Sequence, residues 1–273
     1  MGDMILSDKS LSQKLELTEA RANVDFVETR ARLDPGYGAA WTEVGGAFAM
    51  FDGQESPLTQ TFCLGIFEDT TALHLDEIEA FFGERDAPIF HEVSPMTDPS
   101  LMALLGERGY LPIEMTTVLY REISSGEAIV PRNRNIITRP IMKDEADKWA
   151  AVSAKGWATV HESLADFMLA FGKIAARTRG GVPFIAELDG QAIAAGGFSI
   201  YDDNCILAGA STIPEARNLG AQNALLAARL SYAVENGCSL AIMGALPGSQ
   251  SQKNAQRNGF NIAYTRTKWQ LMR

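Results

Sequence analysis

Residues 212–222, Thr-Ile-Pro-Glu-Ala-Arg-Asn-Leu-Gly-Ala-Gln, stand between an apolar strand-like run and a long helical pattern. In such a strand–turn–helix arrangement the loop points backbone N–H groups at one spot. The first amides of a helix lack internal partners and the helix dipole favours negative charge at that end, so a diphosphate fits there. Gly220 lets the backbone approach closely because it has no Cβ, and Arg217 adds a charge-assisted contact. Metal and thiol chemistry have less support. Cys63, Cys205 and Cys238 lack ligand spacing, Cys205 and Cys238 read as small core residues, and His74, His91 and His161 form no His-x-x-x-His pair. No metal is expected.

The elements around that loop are legible from periodicity and punctuation. Ahead of it come helices over 144–155 and 163–177, a strand over 182–188, the two-residue turn Asp189-Gly190, a strand over 191–201 and a third over 205–213. Gly209 inside that third strand marks a bulge. Behind the loop, 220–236 is helical, with Leu226, Leu230, Ala233 and Val234 on one stripe and Gly237 as its stop. A strand over 240–245, a helix over 251–258 and a last strand from Gly259-Phe260 follow.

The first half reads similarly. A helix over 11–33 stops at Asp34-Pro35-Gly36, and apolar runs at 46–51 and 58–67 read as paired strands. A helix from Thr70 or Thr71 carries Leu75, Ile78 and Phe82, 88–93 is strand, Asp98-Pro99 opens a further helix, and 113–119 alternates as a strand does. Gly109-Tyr110 joins helix to strand as Gly259-Phe260 does, which points to a degenerate duplication. The polar stretch 124–135 reads as a linker. The expected organisation is a domain over 1–125, a linker over 126–138 and a domain over 139–273.

The segment 217–222 resembles the acetyl-CoA loop of the GNAT N-acetyltransferases, Q/R-x-x-G-x-G/A. Arg217 and Gly220 match, whereas Gln222 stands where the family has glycine or alanine. The order of elements from about residue 139 onward is also the family's. The resemblance implies an α/β (α+β) fold of two GNAT-like lobes, each a mixed, mostly antiparallel sheet flanked by helices. It implies acetyl-CoA as cosubstrate, with backbone groups at Thr212 and Ile213 beside the pantetheine. Amides at Asn218, Leu219, Gly220, Ala221, Gln222 and Asn223 would hold the diphosphate, and Asn254 would face the cofactor. The acceptor would be a small-molecule primary amine attacking the thioester directly, its oxyanion stabilised by backbone N–H. Trp157, His161 and Glu162 sit where the acceptor-side lip forms. Ala255 replaces the family's usual tyrosine acid and the strand before the loop offers no carboxylate base, so the catalytic groups are unassigned. In the first half, 65–71 stands in the loop's place, and Glu68 and Asp69 would repel a diphosphate.

A net charge of −10 disfavours nucleic acid and anionic membranes as partners, and no run of about 18 apolar residues reads as a membrane span. The N-terminal residues lack signal-peptide character, so the expected compartment is the cytoplasm. Two rival readings are a non-catalytic acyl-CoA-binding regulator, motivated by Ala255, and an aminoacyl transferase using charged tRNA, which the charge opposes.

Overall fold

The computed structural model describes residues 7–124, 133–158 and 164–272. The chain divides into two compact units, Met1–Tyr120 together with Gly244–Arg273, and Arg121–Met243.

In the first unit, α1 (Lys9–Leu33) starts where the Asp8 side chain accepts from the Leu11 amide and ends at Asp34, before Pro35. Strands β1 (Ala40–Val44) and β2 (Ala47–Phe51) form a hairpin through Gly45-Gly46, both at positive φ as a two-residue turn requires. The glycine pair is the signal for β1, which the periodicity reading omits. Strand β3 (Gln60–Phe62) is much shorter than the expected 58–67, because Cys63 adopts φ +63° and breaks it. Then come α2 (Ala72–Gly83), β4 (Phe90–Val93), α3 (Ser100–Glu107) and β5 (Tyr110–Glu122). Alternation along the strands feeds two cores. Phe48, Met50 and Phe62 pack with Ala20, Val24 and Val27 of α1. Ala47, Ala49 and Phe51 pack with Leu75, Ile78 and Phe82 of α2 and Leu101 and Leu105 of α3. Truncating a buried phenylalanine such as Phe82 costs about 3–5 kcal/mol.

The second unit opens with β6 (Ile137–Pro140), paired with β7, so its sheet starts within the expected linker. Helices α4 (Ala146–Trp157) and α5 (Ala165–Ala175) precede β7 (Phe184–Leu188), β8 (Gln191–Tyr201) and β9 (Asn204–Thr212). Helix α6 (Ala221–Glu235) and β10 (Leu240–Ala245) follow. The sheet order is β10-β9-β8-β7-β6, antiparallel except for the parallel β10/β9 pair. Neighbouring residues of β7 reach opposite faces: Ile185 packs with Trp149 and Ala150 of α4, whereas Phe184 meets Tyr232 of α6 edge-on. The sheet is thus covered on both sides.

Past β10 the chain forms α7 (Gln250–Arg257) and β11 (Asn261–Leu271). Strand β11 inserts between β4 and β5, antiparallel to both, so the first unit's order is β1-β2-β3-β4-β11-β5. The contact-defined unit therefore takes 244–273, which the sequence reading assigns to the second domain. Alternation marks β11 as a strand but carries no information about which neighbours complete it. Strand β11 also brings Arg266 under α1, where it pairs with Glu16 at 3.1 Å and Glu19 at 2.7 Å, and with Glu92 of β4 at 3.0 Å. The duplication signal has a conformational counterpart: Gly109 and Gly259 have φ +86° and +82°, and each precedes a buried aromatic residue, Tyr110 or Phe260.

Candidate functional site

Strands β9 and β10 run in parallel register only over 204–206 and 240–242, so the longer β9 continues to Thr212 beyond its β10 partners. On its other side β9 keeps β8, with a bulge. Ala195 pairs with Ser211 and Gly197 with Ala208, placing two β9 residues, Gly209 and Ala210, against Gly196 alone. Gly209 sits at φ +60° with open space where a Cβ would point, as the glycine position of a bulge requires. Ala208 and Gly209 are exposed despite lying on an inner strand. The expected bulge at Gly209 is present.

The loop that follows is built from backbone conformations rare outside glycine and asparagine. Arg217 is extended, Asn218 is left-handed at φ +64°, and Gly220, the N-cap of α6, is left-handed at φ +97°. Gly220 offers no capping side chain, and the ladder of α6 begins with the Ala224 amide donating to the Gly220 carbonyl. The amides of Ala221 and Gln222 thus lie outside the helix's own ladder, the arrangement that suits an anion. A Cβ on Gly220 would meet the Asn133 Cβ at 3.4 Å. That is ordinary van der Waals contact, so the glycine is favoured here by its φ, a reason additional to the close phosphate approach inferred from sequence. The Asn133 amide nitrogen also donates to the Leu219 carbonyl at 2.9 Å, anchoring the loop.

Helix α4 presses on the end of β9. A Cβ on Gly156 would lie 2.6 Å from the Ser211 side chain and 3.0 Å from the Thr212 nitrogen, so only glycine permits this approach. The buried Ser211 hydroxyl donates to the Ser153 carbonyl at 3.0 Å, and the Arg217 guanidinium donates to the Gly156 carbonyl at 3.3 Å. Arg217 therefore ties the loop to α4. The loop's one carboxylate, Glu215, pairs with Lys155 at 3.1 Å.

Of the Thr212–Ile213 pair, the Ile213 amide donates to the Ile193 carbonyl at 3.0 Å. Because backbone groups alternate between strand edges, the Thr212 N–H belongs to the edge away from β8. Of the two amides, that of Ile213 is taken up within the sheet and that of Thr212 faces away from it. Asn254 lies on α7 in the first unit, its side-chain oxygen accepting from Gln250 at 2.8 Å and its carbonyl from Asn258 at 2.7 Å. Trp157 closes α4 beside Gly156 and is 39% exposed, a large apolar surface at the protein–solvent boundary. His161 and Glu162 lie outside the described residues. Ala255 is buried and carries no proton.

Sequence reasoning passed over Gly156, the side chain of Gln222, and Arg229. Arg229 of α6 is buried with its Nε donating to the Leu225 carbonyl at 3.2 Å and its Nη1 to the Gly197 carbonyl at 2.9 Å. Burial lowers its pKa to about 10, so it stays charged at neutral pH. It braces α6 against β8 at the bulge, and a Cβ on Gly196 would lie 3.1 Å from its guanidinium. An arginine on the apolar stripe of a helix, facing a Gly-Gly pair in a strand, was the available signal.

Among the described residues no group of three or more His, Cys, Asp and Glu side chains could hold a metal ion, and no helix is long and apolar enough to cross a membrane.

Residues 145–260 match the family model of the Acetyltransferase (GNAT) family. No curated protein sequence matches the chain. Among solved structures, a GCN5-related N-acetyltransferase from Kribbella flavida aligns with a TM-score of 0.61 at 18% identity, covering 90% of this chain and 95% of that one. A tandem GNAT protein from the clavulanic acid biosynthesis pathway aligns at TM-score 0.57 and 15% identity, over 84% of this chain and 80% of its own. An acetyltransferase from the GNAT family of Colwellia psychrerythraea gives 0.51 and 12%, over 90% and 97%. At these identities the structural likenesses speak for the fold, and the tandem neighbour extends it across both halves.

Proposed function

With a GNAT domain at residues 145–260, we propose that this protein is an acetyl-CoA-dependent N-acetyltransferase acting on the primary amine of a small molecule, its cosubstrate held by the second unit. The observation that carries the reading is the continuity of β9, bulged at Gly209 and running past its β10 partners into an uncapped helix N-terminus. The backbone around Asn218 to Gln222 supplies the donors for a diphosphate, and no unpaired carboxylate of the loop opposes it. The free edge of β9 at Thr212 takes the amide-bearing arm as an added strand would.

Acetyl-CoA supplies an activated acyl group. The amine nitrogen forms a bond to the thioester carbonyl carbon, the C–S bond breaks, and the thiolate leaves with the electron pair. Backbone N–H groups exposed by the bulge around 208–210 are the donors to the oxyanion. Ala255 offers no acid, yet a thiol of pKa roughly 8.5 leaves as its anion without one. The attacking amine loses its proton to water, so the rate should rise with pH and then level, with no basic limb. We place the reaction in the cytoplasm, where the buried free thiols Cys63, Cys205 and Cys238 stay reduced.

Calorimetric titration with acetyl-CoA, paired with thiol release over a panel of amines, tests the reading. One site per chain and amine-dependent release are expected. Absence of binding overturns the proposal; binding with no release for any amine favours the non-catalytic acyl-CoA-binding protein that Ala255 motivates.

A further inference from the structure

Gln222 departs from the small residue of the family's loop pattern, and its side chain has a definite task. Its Nε2 donates to Oγ1 of Thr212 at 2.8 Å. Thr212 ends β9 and Gln222 is the second residue of α6, so this bond closes the loop at its base. Between them the backbone makes the local turns Ala216 to Ile213 and Arg217 to Pro214, after the Ile213 amide has donated to the Ile193 carbonyl and before the helical ladder starts at the Gly220 carbonyl. The loop's far side is held by Asn133 on the Leu219 carbonyl and by Arg217 on the Gly156 carbonyl.

We infer that Gln222 and Thr212 form a positioning pair that holds the loop in its anion-accepting shape before acyl-CoA arrives. The inference rests on the acyl-CoA reading and adds to it a residue that sets affinity. A loop with left-handed residues at 218 and 220 is costly to order, and a tie already made in the free protein removes part of that cost from binding. The carboxamide nitrogen is a donor, like the amides beside it, so it does not compete for them as a carboxylate at this position would.

The full chain is titrated with CoA as wild type, Gln222→Ala, Thr212→Val, the double variant, Thr212→Ser and Gln222→Glu. Hydrogen exchange of residues 213–221 is followed without ligand. Each of the first two substitutions should weaken CoA about three- to tenfold, the worth of one hydrogen bond, and the double variant no further. Thr212→Ser should restore wild-type affinity, and Gln222→Ala should speed exchange in the loop. Gln222→Glu keeps an acceptor for the Thr212 hydroxyl, so exchange should stay slow while binding collapses from charge. Wild-type or tighter binding by Gln222→Ala, additive losses, or unchanged exchange overturns the pairing. A wild type that binds no CoA would instead sink the acyl-CoA reading, while exchange in the free protein still judges the pair.

Discussion

The N-termini of α2 and α6 follow corresponding strands, β3 and β9, each with a parallel neighbour, yet they are finished in opposite ways. Helix α2 closes on itself. The Thr71 hydroxyl accepts from the His74 amide at 3.2 Å, and His74 Nδ1 accepts from the Thr71 amide at 3.4 Å. Glu68 and Asp69 stand exposed just ahead of it. Cys63, Leu64 and Ile66 turn into the core where β9 instead continues with exposed residues at its bulge. Helix α6 has glycine at the same cap and no acid in its first turn. The two helix starts thus differ in whether a side chain caps the first turn, and the proposed function follows that difference rather than the fold.

Gly220→Asp tests the comparison most severely, because it makes the end of α6 resemble that of α2. It adds a Cβ at φ +97° and a negative charge at the proposed anion site, so acetyl-CoA should bind at least about tenfold more weakly. The melting temperature must be read alongside. A normally melting variant with wild-type affinity would remove the loop from the site.

The units should also differ in their response to acid. His91 in β4 is fully buried, and neither ring nitrogen, nor Thr61 Oγ1 beside it, nor Trp269 Nε1, has a hydrogen-bond partner among the described residues. Burial lowers its pKa from 6.5 to about 3. Between those values the unfolded chain takes a proton that the folded chain refuses. Stability is therefore full above the unfolded value and falls as pH drops, by up to about 1.4 kcal/mol per pH unit. Urea melts of His91→Phe between pH 6 and 4 should show a flatter slope than wild type; equal slopes would place the acid sensitivity elsewhere.

Arg217→Ala removes a tie to Gly156 and a positive charge, and should weaken acetyl-CoA by about threefold in titration. The smallest effect is expected at the other helix. Replacing Thr71 by Gly with Glu68→Gln and Asp69→Asn opens the cap of α2 yet leaves the residues at 63–66 buried, so stoichiometry should stay at one CoA per chain. A second site in that variant would show that capping alone separates the two units.

Punctuation in the sequence made much of this legible. The Asp189-Gly190 turn, the bulge at Gly209 and the start of α6 at Gly220 depend on backbone conformations that few residue types accept, and each stands where expected. What escaped depends on partners distant in sequence. Gly156 is glycine because of Ser211 and Thr212, Gln222 matters through Thr212, and the Ile213 amide is lost to Ile193. Cys63 looks like the interior of a strand until its left-handed φ ends β3.

The insertion of β11 between β4 and β5 bears on how the protein is made. Tyr120 pairs with Asn261 and Phe90 with Gln270, separations of 141 and 180 residues. During synthesis, α1 to β5 emerge first but wait for β11, and in the interval Arg266 is missing from Glu16, Glu19 and Glu92. The second unit, contiguous in sequence, meets no such delay. Ribosome release should therefore see the later-made unit mature before the earlier one, with the unpaired edges of β4 and β5 as the stretch most in need of a chaperone.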